Sequence, residues 1–512
     1  MTDSFELFRL RWNSSLGFEG VAPMDLPPGR TVVEETPISS QLNSISIQTR
    51  CFRCYTKITE NSRKMCEQCG VHYCSTFCCS EDSKIEHKLV CPFIADKSLN
   101  FTERNDILEF RTVAYHLRTA SHNWEVLNSD NTYPSISRSL GERMVPSEAE
   151  IAKFNTSSLV RKHTHNVLDL FMLMSHKGTF TSTTASELST RTNLYLQILS
   201  RDPNSPALFY SNASLLEECM DLITKLICNN LIGDDSDGKP FILALYPRIS
   251  LLNHSCRPNC GIVLDGKGRA VMKTLTAVKE GEPLTFNYTP LTDSTPRRRE
   301  RLQIWFDFEC HCERCTEYDS LLHRLQLGHT EELRDSALLD EACVCRCGGA
   351  AARLSTNPPV YVCLACGLKT AGEGTVALIA DLTKREEQAV QLARTDPVKA
   401  VQMMLKVLQD SKQSGEDHLR LHPFHSRQFD IRCILVSLLA RCGQIEACTA
   451  LFGDLITTFE FLSEHRPSLD VLYFLVRLLP TVRKMKDAPL KDSLLRLHST
   501  LFDLFYSNVP LN

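Results

Sequence analysis

Several features are scarce in this chain of 512 residues, and each scarcity excludes a class of protein. No long run of one charge sign occurs, and the net charge is only -4, which argues against a dedicated nucleic-acid binder. No apolar run approaches the roughly 20 residues that a membrane helix needs. The first residues, Met1 to Phe5, lack the basic start and the apolar core of a signal peptide. We therefore expect an intracellular protein.

Cysteine, in contrast, is abundant. The chain has 23 cysteines, many of them in close pairs, and in a reducing compartment such pairs indicate zinc rather than disulfides. The densest segment is 51–91, where the spacings are C-x2-C, C-x2-C, C-x3-C and H-x3-C. These candidates are Cys51, Cys54, Cys66, Cys69, Cys74, Cys78, His87 and Cys91. Eight ligands suit two tetrahedral zinc ions, and metal binding would supply the folding free energy that so short a segment lacks.

Three further blocks concentrate polar and cysteine residues. Residues 251–259 read LLNHSCRPN, which is a poor core strand and a good site. Residues 281–288 read GEPLTFNY, and residues 308–315 read FECHCERC. Together with segment 51–91, these blocks resemble the SET and MYND domain family of protein-lysine methyltransferases, and its arthropod-type members in particular.

The resemblance implies a multidomain α+β fold. A SET β-fold is interrupted by a MYND zinc finger and a helical insert, closed by a post-SET zinc tail, and followed by an all-α C-terminal domain like tetratricopeptide repeats. The implied boundaries are 1–50 for the N-terminal part of SET, 51–91 for the finger, 92–205 for the insert, 206–300 for the core SET, 301–320 for the post-SET tail, 340–368 for a small zinc ribbon and 375–512 for the C-terminal domain. Apolar residues at helical spacing after residue 101 and after residue 376 agree with the two helical regions.

The resemblance also implies which residues share a metal. In the finger one zinc takes Cys51, Cys54, Cys74 and Cys78, and the other takes Cys66, Cys69, His87 and Cys91. Block 308–315 supplies only three cysteines, whereas zinc takes four ligands. In this family the fourth ligand comes from the motif that corresponds to block 251–259, which gives the set Cys256, Cys310, Cys312 and Cys315.

A further cysteine cluster at 343–366 offers five candidates for four places. We predict a structural zinc ribbon held by Cys345, Cys347, Cys363 and Cys366, with Cys343 as the alternative to Cys345. A cluster without metal stays open as the simpler interpretation.

By the same resemblance the cofactor is S-adenosylmethionine and the substrate is a protein lysine. Methyl transfer requires a neutral amine aligned with the sulfonium methyl, and an aromatic channel favours that neutral form by desolvation. Tyr288 is the implied catalytic residue. The implied cofactor contacts are Glu19, Asn229, Ser250, Leu252, Asn253, His254, Tyr288 and Phe308. An asparagine at a helix end, such as Asn229, is otherwise a cap or turn residue.

Two positions depart from the family pattern. Residues 17–33 predict two strands around the turn Pro27-Pro28-Gly29, the opening hairpin of the SET domain. Active members carry a basic residue, then Gly, Asn or Lys, and Gly there. Aligned on Gly20, this chain has Gly17 at the basic position, Phe18 at the first glycine and Glu19 between the two glycine positions. A like-charge pair at about 4 Å costs on the order of 1 to 4 kcal/mol, so Glu19 should weaken binding of the cofactor carboxylate unless it pairs with the cofactor ammonium. Phe306 replaces a second channel tyrosine, which should alter the degree of methylation without preventing the chemistry.

Two functions therefore stay open. Intact Asn253, His254 and Tyr288 favour a methyltransferase acting on a histone or another protein. Glu19 and Phe18 favour a catalytically weakened scaffold that recruits partners, for example in transcriptional repression. The nearly balanced charges of the finger argue against nucleic acid and favour a docked peptide, proline-rich as in other MYND fingers. We expect a monomer, without membrane attachment, in the cytoplasm and nucleus.

Overall fold

The computed structural model describes residues 4–14, 16–59, 63–84, 87–96, 105–129, 161–163, 170, 173, 182–201, 213–330, 333 and 336–511. The chain forms two compact units. The first unit contains Met1–Asn253, Asn259–Phe286 and Leu504–Asn512, and the second contains His254–Pro258 and Asn287–Asp503. Both strands and helices are present, as an α+β chain requires.

Short strands and longer helices follow one another along the described part of the chain. The strands are β1 Ser4–Glu6, β2 Arg9–Asn13, β3 Gly17–Val21, β4 Thr31–Glu35, β5 Ser39–Leu42, β6 Lys64–Met65, β7 His72–Tyr73, β8 Arg161–His163, β9 Asn230–Asp234, β10 Pro240–Leu245, β11 Asn253–His254, β12 Cys260–Leu264, β13 Ala270–Thr274, β14 Thr285–Phe286, β15 Cys343–Val344, β16 Ala350–Thr356, β17 Pro359–Cys363, β18 Lys369–Ala371 and β19 Arg420–Leu421. The helices are α1 Thr76–Lys84, α2 His87–Ala95, α3 Asp106–Ser129, α4 Ser182–Leu199, α5 Ala213–Asn229, α6 Thr295–Phe306, α7 Glu313–Gln326, α8 Glu373–Leu392, α9 Pro397–Ser411, α10 Ser426–Arg441, α11 Ile445–Leu462, α12 Leu469–Val482 and α13 Ala488–Tyr506.

Antiparallel sheets form the core of the first unit. A five-stranded sheet has the order β12-β13-β4-β1-β8, and a three-stranded sheet has the order β5-β10-β9. In the larger sheet Val33 on β4 stands opposite Met272 on β13, and both side chains are buried. Branched and long apolar residues favour such pleated, buried positions. These sheets form the framework around which the rest of the unit is arranged.

The opening hairpin differs from the predicted one. The two predicted strands exist, as β3 and β4, but they do not pair with each other. Strand β3 pairs with β2, with Asn13 opposite Gly17, while β4 joins the five-stranded sheet. Gly17 has φ of +83°, a conformation that glycine adopts without steric cost and that the turn needs. The true hairpin is therefore formed by residues 9–21.

Only part of the predicted helical insert, 92–205, can be compared with the structure. Helices α3 and α4 lie within it. Its predicted start at residue 92 falls inside α2, and its predicted end at residue 205 lies outside the described residues. Tyr195 on α4 donates its hydroxyl to Asp106 and Glu109 on α3, at 2.6 and 2.9 Å. Among the described residues no helix is long and apolar enough to cross a membrane.

The second unit combines a small sheet with packed helices. Its five-stranded antiparallel sheet has the order β18-β17-β16-β15-β19. Helix α9 begins with an N-cap, because the Asp396 carboxylate accepts a hydrogen bond from the Lys399 amide at 3.0 Å and Pro397 occupies the first turn. Helix α11 buries Cys448, Leu455 and Phe459 on one face, as the apolar spacing predicts. Helices α8 to α13 make the C-terminal part mostly helical. The predicted all-α domain 375–512 is not wholly helical, however, because strand β19 lies within it and pairs with β15.

Candidate active site and metal centres

Four groups of sulfur and nitrogen atoms converge within 4.8 Å in the described residues. They are Cys51, Cys54, Cys74 and Cys78; Cys66, Cys69, His87 and Cys91; Cys256, Cys310, Cys312 and Cys315; and Cys345, Cys347, Cys363 and Cys366. The structure thus brings together every predicted ligand in its predicted group. In the last group it selects Cys345, while Cys343 lies buried in β15 outside the cluster.

The geometry of these groups fits zinc. A tetrahedral ion with Zn–S bonds of about 2.3 Å holds its sulfur ligands about 3.8 Å apart. The sulfur atoms of Cys74 and Cys78 are 3.6 Å apart, and those of Cys256 and Cys315 are 3.7 Å apart. In the ribbon Cys345 and Cys366 are 3.8 Å apart. Thiolate-rich tetrahedral donor sets of this kind suit zinc rather than calcium or magnesium.

A buried arginine supports the cluster around Cys256. Hydrogen bonds from Cys310, Cys312 and Cys315 hold the pKa of the Cys256 thiol well below its usual range. The Arg298 guanidinium, fully buried on α6, donates through Nε to Cys256 Sγ at 3.2 Å and through Nη2 to Thr295 Oγ1 at 2.7 Å. Arg298 was not among the residues predicted from the sequence. Its position in the arginine-rich start of α6 gave no local sign of a buried role.

Aromatic rings gather beside this cluster in the second unit. The Tyr288 ring centroid lies 4.8 Å from that of Phe306 and 6.4 Å from that of Phe308. The His254 ring is 5.3 Å from Tyr288 and 6.2 Å from Phe308. Burial raises the pKa of Tyr288 above its ordinary range, so its hydroxyl is protonated at neutral pH. We call these four neighbouring rings the aromatic enclosure, and the hydroxyl of its tyrosine is neutral.

His254 connects the aromatic enclosure to the cysteine cluster. Its Nδ1 accepts the backbone N–H of Tyr288 at 2.9 Å, which leaves the proton of the neutral ring on Nε2. That Nε2 lies 3.2 Å from Cys256 Sγ and can donate to the thiolate. One imidazole thus fixes both the backbone at Tyr288 and the sulfur of Cys256.

The remaining predicted cofactor contacts lie in the first unit. Asn253 Nδ2 donates to the carbonyl of Phe18 at 3.0 Å, and a Cβ added to Gly20 would stand 2.1 Å from Leu252 Cδ2. Leu252 and Asn253 therefore lie directly against the β2–β3 hairpin, and Gly20 has no room for a side chain. Ser250 Oγ donates to the carbonyl of Asn229 at 3.0 Å.

Asn229 itself serves its helix. Its Nδ2 donates to the Lys225 carbonyl at 2.7 Å, as a residue at a helix C-terminus does. Asn259, which the sequence did not mark as a site residue, connects two motifs: its Oδ1 accepts the Thr285 N–H at 2.8 Å, and its Nδ2 donates to the Pro283 carbonyl at 2.8 Å. The two blocks are thus held together by one buried amide.

Glu19 is not an isolated anion. Arg11 stands directly opposite it in the β2–β3 register, and Arg11 Nε lies 3.0 Å from Glu19 Oε2. The Glu19 side chain is 6% exposed and that of Arg11 is 49% exposed. The hairpin therefore supplies a cation that compensates the negative charge of Glu19. Arg11 could not be identified from the sequence, because the prediction did not pair β3 with β2.

Comparison with known proteins agrees with this geometry. Residues 25–289 match the family model described as "SET domain". The chain belongs to the SET-domain family. Histone-lysine N-methyltransferase ASHR1 of Arabidopsis thaliana is 25% identical over 373 residues, which cover 71% of this chain and 65% of that protein.

Shorter segments of this SET-domain protein resemble human enzymes. Histone-lysine N-methyltransferase SMYD3 is 37% identical over 111 residues, 21% of this chain and 26% of the relative. N-lysine methyltransferase SMYD2 is 31% identical over 99 residues, 19% of this chain and 22% of the relative. The chain thus spans 65% of the plant relative and about a quarter of each human one. Several Dictyostelium discoideum relatives are named SET and MYND domain-containing proteins, in agreement with the predicted family. The arthropod-type placement stays a prediction.

Proposed function

We propose that this SET-domain protein is an S-adenosylmethionine-dependent protein-lysine N-methyltransferase. The observation that carries the proposal is the aromatic enclosure, in which the rings of His254, Phe306 and Phe308 lie beside that of Tyr288. The names of the plant and human relatives, which are histone-lysine or N-lysine methyltransferases, support it. The substrate is a lysine of a histone or of another protein.

The residues of the enclosure have distinct tasks in this reaction. Removing water around an incoming lysine favours the neutral amine, which is the nucleophile. The neutral hydroxyl of Tyr288 positions that amine, and the rings stabilise the methylated ammonium through cation–π attraction. S-adenosylmethionine, when bound, supplies the methyl group. We propose that Glu19, Asn229, Ser250, Leu252, Asn253, His254, Tyr288 and Phe308 bind it.

Four zinc ions complete the proposal. Two occupy the segment 51–91 as a MYND finger, one joins Cys256 to the post-SET tail, and one holds the ribbon near Cys363. The post-SET zinc would fix the loop that carries His254 beside Phe308. The helices from α8 onward form the proposed tetratricopeptide-like domain.

Partner and location follow from the same family resemblance. On the finger, Phe77 is 64% exposed and Arg53 lies over its ring at 5.5 Å, while Met65 is 56% exposed. Such an aromatic and aliphatic surface suits a proline-rich peptide, which we propose as its ligand. We further propose a monomer that works in the cytoplasm and the nucleus.

A catalytically weakened scaffold is not favoured. That alternative rested on Glu19 as an unpaired anion, and the ion pair with Arg11 removes its main support. Phe18 contacts Asn253 through its backbone carbonyl, so this contact does not depend on the side chain at position 18.

Calorimetric titration of S-adenosylmethionine into zinc-loaded protein, with methyl-transfer assays on histones, tests the proposal. We expect a micromolar Kd and transfer that falls about 100-fold or more in Tyr288→Phe, the range of one positioned acid–base or hydrogen-bonding group. Tyr473→Phe, which removes the hydroxyl of a buried tyrosine on α12, is the matched control. A chain that binds no cofactor, or a Tyr288→Phe variant with full activity and product pattern, would overturn the proposal.

A further inference from the structure

The corner between α11 and α12 has an unusual backbone. Glu464 and His465 have φ of +53° and +56°, the left-handed region that residues with a side chain seldom adopt. Two such residues in succession persist only where surrounding contacts over-determine them. The contacts that hold these two residues therefore point to the role of the corner.

Glu464 binds two arginines at once. Its Oε2 lies 2.5 Å from Arg257 Nε and its Oε1 lies 3.2 Å from Arg257 Nη2, a two-point pairing of carboxylate and guanidinium. Its Oε1 also lies 3.2 Å from Arg314 Nε. Arg314 is buried, while Arg257 and Glu464 keep 18% and 23% of their side chains exposed. Bidentate geometry and partial burial distinguish this pairing from ordinary surface ion pairs, which contribute little.

Neighbouring residues of the corner strengthen the contact. Arg314 Nη2 donates to the Leu462 carbonyl at 2.5 Å, and Arg466 Nη1 donates to the Pro258 carbonyl at 3.4 Å. Arg257 also pairs with Glu317 on α7. The corner thus contacts Arg257, Pro258 and helix α7 through both side chains and backbone.

Both arginines are next to cysteines of one proposed metal site. Arg257 follows Cys256, and Arg314 precedes Cys315, and the two sulfur atoms are 3.7 Å apart. Cys256 in turn lies 3.2 Å from His254 Nε2, and His254 fixes the backbone of Tyr288. A carboxylate that orders both arginines therefore orders the two ends of this cluster.

We propose that Glu464 is a positioning residue through which the C-terminal helices hold the Cys256–Cys315 metal cluster and, through His254, the catalytic Tyr288. The proposal rests on the proposed methyltransferase function for its effect on activity. Its effect on metal retention does not depend on that function.

Glu464→Gln tests the proposal, because glutamine keeps the shape and removes the charge. Glu460→Gln, which changes an exposed glutamate four residues earlier on α11, is the matched control. We expect release of one zinc per chain to a chromogenic chelator to become about ten-fold faster, and the Kd for S-adenosylmethionine to rise about ten-fold, the size of one moderate coupling between neighbouring side chains. The control should match the unmodified chain in both measurements.

A double-mutant cycle with Arg257→Gln separates positioning from general destabilisation. If the two residues act as one unit, the double variant should release zinc no faster than the worse single variant. Additive effects, or zinc release and cofactor Kd unchanged in Glu464→Gln, would overturn the proposal. A variant that lowers the melting temperature without faster release of one zinc would also overturn it. If the unmodified chain binds no S-adenosylmethionine, the proposed function fails while zinc release still decides the role of Glu464.

Discussion

Arg11 and Glu19 face each other across the β2–β3 hairpin, with 3.0 Å between Arg11 Nε and Glu19 Oε2. The pair carries no net charge, so the hairpin does not repel the carboxylate end of an amino-acid cofactor. Because Arg11 is half exposed, the ion pair should add at most about 1 kcal/mol to folding stability. Its effect on ligand electrostatics is the larger consequence.

Removing the arginine alone should therefore expose the anion. We predict that Arg11→Gln raises the Kd for S-adenosylmethionine about ten-fold or more, since an unpaired carboxylate beside a ligand carboxylate costs on the order of 1 to 4 kcal/mol. Arg11→Gln combined with Glu19→Gln should restore most of the affinity, and calorimetry measures all three chains. Arg9→Gln is the control, because Arg9 lies exposed on the same face of β2, opposite Val21. Equal affinities of Arg11→Gln and the unmodified chain would contradict the prediction.

Cys343 and Cys345 are only two residues apart, but Cys345 belongs to the ribbon cluster and Cys343 does not. Cys345→Ser should lower the zinc content by one equivalent per chain, because a tetrahedral site with three strong ligands binds zinc more weakly. Cys343→Ser should leave the zinc content unchanged, since Cys343 lies outside the cluster. Elemental analysis of the purified chains measures both. Loss of one zinc on Cys343→Ser would reverse the choice of ligand.

Phe306 has an apolar ring beside Tyr288, whereas a tyrosine at this position would add a hydroxyl to the enclosure. Its centroid is 4.8 Å from that of Tyr288, so Phe306→Tyr adds a hydroxyl close to the proposed amine position. We predict that this variant shifts the product toward lower methylation, because the extra hydroxyl occupies space and binds the amine. Mass spectrometry of a lysine peptide after single and multiple turnovers shows the product distribution. Ile304→Leu, an exposed position on the same helix, serves as the control, and an unchanged distribution in Phe306→Tyr would refute the prediction.

Asp340 should make stability depend on pH. Burial raises its pKa to about 7, while its Oδ2 accepts the Thr295 N–H at 3.0 Å. Between pH 4 and pH 7 the folded chain then holds a proton that the unfolded chain has lost, so stability falls as pH rises through this window. Asp340→Asn should remove this fall and raise the melting temperature by several degrees at pH 8 relative to the unmodified chain, with little change at pH 4.

Asp381→Asn is the matched control for the Asp340 prediction, because it removes a 58% exposed carboxylate from α8. Melting curves from pH 4 to pH 8 measure all three chains. If Asp340→Asn and the unmodified chain show the same pH dependence, the buried carboxylate is not the group responsible.

The local patterns of the sequence determined the close pairs of metal ligands and the catalytic blocks, whereas the assignment of these pairs to shared ions came from the family resemblance. Cysteines two to four residues apart can reach one ion whatever surrounds them, so the grouping of Cys51 with Cys54 or Cys363 with Cys366 follows from spacing. The choice of Cys345 over Cys343 stayed open, because both spacings reach the ion and only the position of β15 decides between them.

Only the tertiary structure decided which charged side chains lie beside the site residues. Arg11 meets Glu19 because β3 pairs with β2 in one register, and a different partner strand would have left the anion uncompensated. Arg298 reaches Cys256, and Glu464 reaches Arg257 from 207 residues away. Contacts at such separations depend on how helices and loops pack, which no local spacing encodes. Short motifs thus determined the identity of the ligands, whereas the electrostatic setting of those ligands arose only in the folded chain.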